Sequence, residues 1–352
     1  MKVCYFGIYN PLYSRNRILI QGLRKNGVEV VECHSDKTGI ERYLDLAQKL
    51  FSLKNGYDVL VVGYPGYQVA ILARFLTRKP VIFDAFSPLY DSMVFDRKIV
   101  TPRSARALYY WCVDWLSMKL SDLVLFDTEA HIRYACREFH LDEKKFRRIW
   151  IGAYTDIFSP MPHVKKEVDA PFSVLFFGSF IPLQGVEYIL YAAKSLEREG
   201  IHFSIIGNGQ TKQEMLGLKE KLALGNVMFH DELSQGSLKR EIVKADICLG
   251  IFGSTPKTMR VIPNKVYECL AMKKPVITAD TPAARELLSD KAVLLVRVAD
   301  ALALSRGILR LKNDKAAMEI LSRNGYDTLI ANASPEVLGR DLKNIVREVS
   351  KT

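Results

Sequence analysis

The sequence predicts an α/β protein made of two parallel-sheet domains, each wound with helices on both faces, and three observations carry that expectation. Apolar strand-like runs alternate with amphipathic helical runs almost throughout the chain, the pattern of βα units. That alternation breaks once, around residues 150–172, and then restarts. At 352 residues the chain is long for one core and comfortable for two, at about 150 residues per domain.

Taken in order, "KVCYFGIY" reads as a first strand, followed by a helix over "RNRILIQGLRKNG" and a strand at "VEVVEC". Next come the strand "YDVLVVGY", a helix around "YQVAILARFLTR", the strand "KPVIFDAF", a long helix ending near "WLSMKL", and the strand "SDLVLFDT". Runs such as "VLVVG" are apolar on both faces, as buried parallel strands must be. The stretch "IGAYTDIFSPMPHVKKEVDAPF" has three prolines, mixed charge and no period, so it reads as a linker. Strands resume at "SVLFFG", "HFSIIGNG", "NVMFHD", "DICLGIF", "KPVITAD" and "AVLLV", and "PEVLGRDLKNIVREVSKT" reads as one last helix. These breaks predict a first domain over 1–165, a second over 166–334 and a separate terminal helix over 335–352.

Composition narrows the chemistry. Hydrophobic residues make up 49% and charged ones 25%, ordinary for a soluble protein. No apolar run approaches the ~18 residues a membrane-spanning helix needs, and the N-terminus reads as a strand rather than a signal peptide. The six cysteines lack CxxC spacing, which favours reduced thiols and a cytoplasmic setting. The histidines and carboxylates lack metal-ligand spacing, so no metal site is expected. Residues 1–165 hold 24 basic and 17 acidic side chains, +7 of the total +11. Such a surface suits anionic lipid or phosphorylated ligands. With no nucleic-acid-binding motif, a nucleic-acid partner is not expected.

Ligands of open parallel sheets bind beyond the carboxyl ends of the strands. In the second half, Gly178 follows a strand in "FFGSFIPLQGVEYIL", and a helix starts near Gly185. A glycine there lets a ligand approach the backbone, while the helix N-terminus offers N–H groups to an anion; the alternative is a tight turn. Gly207-Asn208-Gly209 follows another strand, but no third glycine completes a dinucleotide fingerprint. In "RVIPNKVYECLAMKKPVI" a helix opens with Pro263-Asn264-Lys265. Asn264 is expected as its N-cap, with Lys265 and Glu268 on one face. A lysine at a helix entrance suits a diphosphate, and a carboxylate one turn on can accept from two ribose hydroxyls. Lys257 and Arg260 add cations beside it, which argues against a plain surface Lys–Glu pair.

The combination of "GSFIPLQGVEYIL", "IIGNGQ" and "IPNKVYECLAMKKPVIT" resembles the retaining glycosyltransferases of family 4 (group 1). The likeness implies the GT-B fold, two Rossmann-like parallel-sheet domains facing across a cleft, with the terminal helix returning to the first. It also implies a nucleotide-sugar donor held by the second domain, no metal, and the donor ribose on Glu268. "WIGAYTDIFSP", with Asp156, Phe158 and Pro160, resembles the family's interdomain strand. Three positions depart. Arg260 stands where the family has a donor-contacting glutamate, Ser179 where it has arginine, and Gln184 where it has lysine. The diphosphate is therefore expected to be gripped from the 257–265 side, with Lys265 and Arg260 as catalytic cations.

The first domain is expected to offer the acceptor site. Tyr13, Arg15 and Asn16 are polar groups at a strand–helix junction, and Asp84, Ser87 and Tyr90 follow another strand. Asp84 is a catalytic candidate here, or else a turn residue. Residues 97–119 place cations beside Tyr109, Tyr110, Trp111 and Trp115, which suits an anionic membrane surface carrying a lipid-linked acceptor or, equally, a helix with one buried aromatic face. The resulting expectation is a cytoplasmic, metal-independent, retaining sugar transferase in surface-glycan assembly. An epimerase or hydrolase of the same fold and a non-catalytic nucleotide-sugar binder are the alternatives.

Overall fold

A computed structural model describes residues 1–11, 13–54, 56–161 and 171–351. The chain divides into two compact units: Met1–Val94 with Lys98–Gly152 and Ala333–Thr352, and Phe95–Arg97 with Ala153–Asn332.

The first unit is built on strands β1 (Lys2–Gly7), β2 (Glu29–His34), β3 (Val59–Val62), β4 (Val81–Phe86), β5 (Leu123–Phe126) and β6 (Phe146–Arg148). They form one parallel sheet in the order β2-β1-β3-β4-β5-β6. Helices α1 (Ser14–Lys25), α2 (Glu41–Ser52), α3 (Tyr67–Leu76), α4 (Ala105–Leu120) and α5 (Glu129–Phe139) connect them. Leu46 and Leu50 of α2, Val69 and Ala73 of α3, Val113 and Met118 of α4 and Ile132 of α5 pack into one core with the strands. Strand β6 and helices α2 and α5 were not read from the sequence.

In the second unit β7 (Phe172–Phe177), β8 (Ile201–Ile206), β9 (Val227–His230), β10 (Ile247–Leu249), β11 (Val276–Ala279) and β12 (Leu294–Val296) make another parallel sheet. Its order is β12-β11-β10-β7-β8-β9. The helices are α6 (Val186–Ser195), α7 (Lys212–Lys221), α8 (Gln235–Lys244), α9 (Asn264–Ala271), α10 (Pro282–Leu287), α11 (Ala301–Asn313) and α12 (Lys315–Ala333). Of the expected linker, residues 162–170 lie outside the described residues. Two six-stranded parallel sheets clothed in helices are the two-domain α/β architecture that the alternation predicts.

The last helix, α13 (Pro335–Val349), belongs to the first unit. Ser334 caps it by accepting from the Val337 N–H, and Leu338, Leu342, Ile345, Val346 and Val349 bury one stripe at helical spacing. It lies against α1 at glycine-to-glycine distance: a Cβ on Gly22 would fall 2.4 Å from the Pro335 carbonyl, and one on Gly339 2.0 Å from the Gly22 carbonyl. No side chain larger than hydrogen fits that crossing.

Candidate functional site

Each sheet has one place where the strand order reverses, between β7 and β10 in the second unit and between β1 and β3 in the first. Those are where the loops splay and a ligand can enter.

In the second unit the Lys265 side chain fills this point. Only 4% of the residue is exposed. Its Nζ donates to Gln184 Oε1 at 2.5 Å and reaches the Gly250 carbonyl at 3.5 Å. It also stands 3.5 Å from the centroid of the Phe176 ring. Gly178 follows β7, and a Cβ there would lie 3.0 Å from Lys265 Nζ. Burial holds the Lys265 pKa well below the ordinary lysine value, against the opposing charges of Cys269 and Glu268. Glu268, one turn further along α9, has its carboxyl pushed up to about 7 by burial, with Lys265 acting the other way. The site thus holds a cation and a carboxylate that are both poorly stabilised as charges, an arrangement that a polyanion with hydroxyls would relieve.

The surrounding loops are fixed by backbone. Phe252 and Gly253 donate their N–H groups to the Gln184 and Leu183 carbonyls at 3.0 and 3.1 Å. Asp96 Oδ1 accepts from the Leu183 N–H at 3.0 Å and from Thr255 Oγ1 at 3.2 Å. Asp96 thereby ties the Pro182–Gln184 turn to the Pro256–Arg260 turn, which carries Lys257 and Arg260. Nothing in the sequence around Asp96 signals this role. Lys257 is buried and Arg260 half-buried.

Asn264 corrects one expectation. Pro263 is the N-cap of α9, without a side-chain cap, and Asn264 is its first helical residue. The proline supplies extended backbone before the helix, and no side chain caps it. Gly207 and Gly209 serve loop packing. Gly207 has φ +140°, and a Cβ there would fall 2.0 Å from the Gly178 carbonyl. Asn208, exposed, accepts the Gly209 N–H on its own Oδ1 at 2.8 Å, and its carbonyl accepts from Phe180. Ser179 is exposed at the end of β7.

The first unit treats its candidates differently. Arg15 and Asp84 are both 0% exposed and face each other, Arg15 Nε lying 2.9 and 2.8 Å and Nη2 2.7 Å from the carboxylate oxygens. Arg15 Nη1 donates to the Ile149 carbonyl at 3.1 Å. Burial alone would lower the Arg15 pKa; the Asp84 carboxylate more than offsets this and raises it. The expected acceptor contact at Arg15 and catalytic role at Asp84 therefore give way to a pairing that spends both charges internally. Asn16 is enclosed too. Its Nδ2 donates to the Tyr64 carbonyl at 2.6 Å, while its Oδ1 accepts from the Tyr64 N–H at 3.1 Å and from Tyr5 at 2.9 Å. Ser87 is buried, with its carbonyl accepting from Tyr67 at 2.7 Å. Tyr13 and Tyr90 remain half-buried at the surface.

A histidine that the sequence reading did not single out also arrives here. His131 of α5 is buried, with Nδ1 2.5 Å from Asp127 Oδ1 and Nε2 4.0 Å from Asp91 Oδ2. The i,i+4 spacing of Asp127 and His131 is the signal that could have found it. In α4, Trp111 and Trp115 turn inward, stacked at 6.2 Å, and Trp111 donates to Glu138. The aromatic half of the expected membrane segment is therefore partly core, because the helix must cover the sheet.

The two parallel sheets, with this switch-point site in the second, define a two-domain protein of GT-B fold. Residues 171–314 match the family described as glycosyl transferases group 1. It is 27% identical over 186 residues to the alpha-D-kanosaminyltransferase of Streptomyces kanamyceticus, covering 50% of this chain and 45% of that protein. The chain thus spans about half the length of that curated relative. Among solved structures, sucrose-phosphate synthase from Thermosynechococcus elongatus aligns over 99% of this chain and 98% of its own, with TM-score 0.76 and 15% identity. Anabaena HepE, solved with UDP, aligns over 99% of this chain and 100% of its own, with TM-score 0.72 and 13% identity.

Proposed function

We propose that the protein transfers a sugar from a nucleoside-diphosphate sugar to a glycan or lipid-linked acceptor. One observation carries the reading: a buried, poorly charge-balanced lysine at the β7/β10 switch point, with a carboxyl raised to about 7 one helical turn away. The structures of HepE with UDP and with UDP-glucose support a nucleotide donor. Retention, independence of metal, a family 4 assignment and a place in surface-polysaccharide assembly rest on the sequence resemblance.

In this reading Lys265 and the first N–H groups of α9 meet the diphosphate, and Glu268 accepts from the ribose hydroxyls. Lys257 and Arg260 hold phosphate oxygens from the neighbouring turn, and Gly178, Ser179, Gln184, Gly207, Asn208 and Gly209 form the rest of the donor wall. As the glycosidic bond breaks, negative charge grows on the leaving diphosphate, and preplaced cations stabilise it more than the ground state. The first unit takes the acceptor, with the half-buried Tyr13 and Tyr90 among its polar groups.

The test is a thermal-shift screen of nucleoside diphosphates and nucleotide sugars on the full chain, followed by transfer assays with the donor found. A ligand at 100 times its Kd adds about 2.7 kcal/mol to stability. Arg260→Glu should abolish transfer, since it places a carboxylate among phosphate contacts. No stabilisation by any nucleotide, or wild-type transfer by Arg260→Glu, overturns the assignment.

A further inference from the structure

Most of the first unit's large exposed apolar side chains, all but Met1 and Ile99, lie on one layer. Ile40, Leu44 and Phe51 run along α2, Phe75 stands on α3 at 77% exposure, and Leu108, Tyr109 and Leu116 line α4. Helices α1, α5 and α13 carry none of comparable size and exposure, and in the second unit such residues are scattered singly over several elements. Isolated exposed apolar residues need no explanation, whereas a contiguous set does.

The three stripes are neighbours. α2 packs beside α3 and α3 beside α4, and Gln68 of α3 donates to the Tyr109 hydroxyl of α4 at 3.3 Å. Each stripe is the outward side of a helix whose inward side is core: Leu46 and Leu50 of α2, Ala70 and Ala73 of α3, Val113 and Met118 of α4 are buried. Three adjacent helices therefore present one apolar face.

Charge says what that face meets. Residues 40–54, 67–79 and 98–120 hold ten Lys and Arg against three Asp and Glu, a net +7 of the chain's +11. Of the three acids, Asp114 is buried and accepts the Leu89 and Tyr90 N–H groups, and Asp45 is paired with Lys49. Arg78, Arg103, Arg106 and Lys119 are exposed around the stripes. Apolar side chains within a cationic rim match the boundary of an anionic bilayer, where the stems of Lys and Arg lie along the apolar zone and their heads reach phosphate. A second copy fits poorly, since a two-fold contact would press two strongly positive faces together. No helix among the described residues is long and apolar enough to cross a membrane, so contact would be superficial.

We infer that the outward face of α2, α3 and α4 rests on an anionic lipid surface, with Leu44, Phe51, Phe75 and Leu108 entering the interface. The inference is independent of the sugar-transfer reading, because lipid contact needs no donor.

The experiment is sedimentation of the full chain with vesicles of phosphatidylcholine, alone and mixed with phosphatidylglycerol. The wild type should bind the mixed vesicles and release them in high salt. A Phe51→Ser/Phe75→Ser/Leu108→Ser variant, whose altered side chains are all exposed, should keep its melting temperature and nucleotide binding yet partition at least tenfold more weakly. Arg78→Glu/Arg106→Glu should lose a comparable factor at low salt only. Wild-type indifference to phosphatidylglycerol, or undiminished binding by the serine variant, overturns the inference. So does a wild-type dimer that the serine variant converts to monomer, which would assign the face to a second copy.

Discussion

The loops beyond the strand ends of the two units look alike in sequence, each holding glycine, amide and charged groups, but they distribute their polar groups in opposite ways. In the first unit the groups consume one another. Arg15 closes on Asp84, and Asn16 on the Tyr64 backbone and Tyr5; His131 pairs with Asp127 through Nδ1 alone, its Nε2 making no hydrogen bond among the described residues. In the second unit Lys265 has an amide, a carbonyl and an aromatic face for company, and among the described residues no carboxylate in hydrogen-bonding range. A buried charge that is fully paired builds structure; one that is only partly compensated is held ready for a ligand. Motif spacing alone does not separate the two cases.

The contrast predicts substitutions of opposite sign. Asp84→Ala strands a buried guanidinium and should destabilise the protein by about 3–5 kcal/mol, read from denaturant unfolding. A well-packed apolar replacement of both Arg15 and Asp84 should recover most of that loss. Lys265→Met does the reverse: removing a poorly compensated cation should leave the unliganded protein as stable or more so. Nucleotide binding and turnover should weaken by about 1.5–3 kcal/mol for the lost charge-assisted bond, roughly 10- to 150-fold. If Lys265→Met instead destabilises like Asp84→Ala, the two regions do not differ in kind and the donor site lies elsewhere.

The sheets were legible because buried parallel strands are apolar on both faces and their helices amphipathic, so period and turn residues announce them. β6 escaped because it is a three-residue edge strand, Phe146–Arg148, with two arginines. The site was legible where one residue type admits few roles. Lys265 and Glu268 on a short helix entered through proline stand at the switch point. It was illegible where a side chain's partner lies far along the chain. Arg15 meets Asp84 across 69 residues, and Asp96 reaches Leu183 and Thr255 across 87 and 159. The Asp127–His131 pair, at i,i+4, shows the converse, a local contact that spacing could have revealed.

The smallest effect is the sharpest probe of the second region. Glu268 has its carboxyl pushed up to about 7, mainly by burial, above the usual ~4.3 of an unfolded glutamate. A folded value above the unfolded one means the native state holds its proton more tightly. The contribution is therefore fully present below about pH 4 and is lost as pH rises through 7. Glu268→Gln keeps the shape and hydrogen-bonding reach but cannot ionise. Plotted against pH, the stability of wild type minus variant should fall between about pH 4 and 7, by an amount on the order of 1 kcal/mol. That is well below the full shift, because the carboxyl is only partly buried and water relaxes its charge. Saturating nucleoside diphosphate should flatten the fall, since ribose hydroxyls donating to the carboxylate favour its charged form. A difference curve that is level with pH in the unliganded protein would mean that Glu268 is already ionised and served by water. The second unit would then balance its charges as the first does.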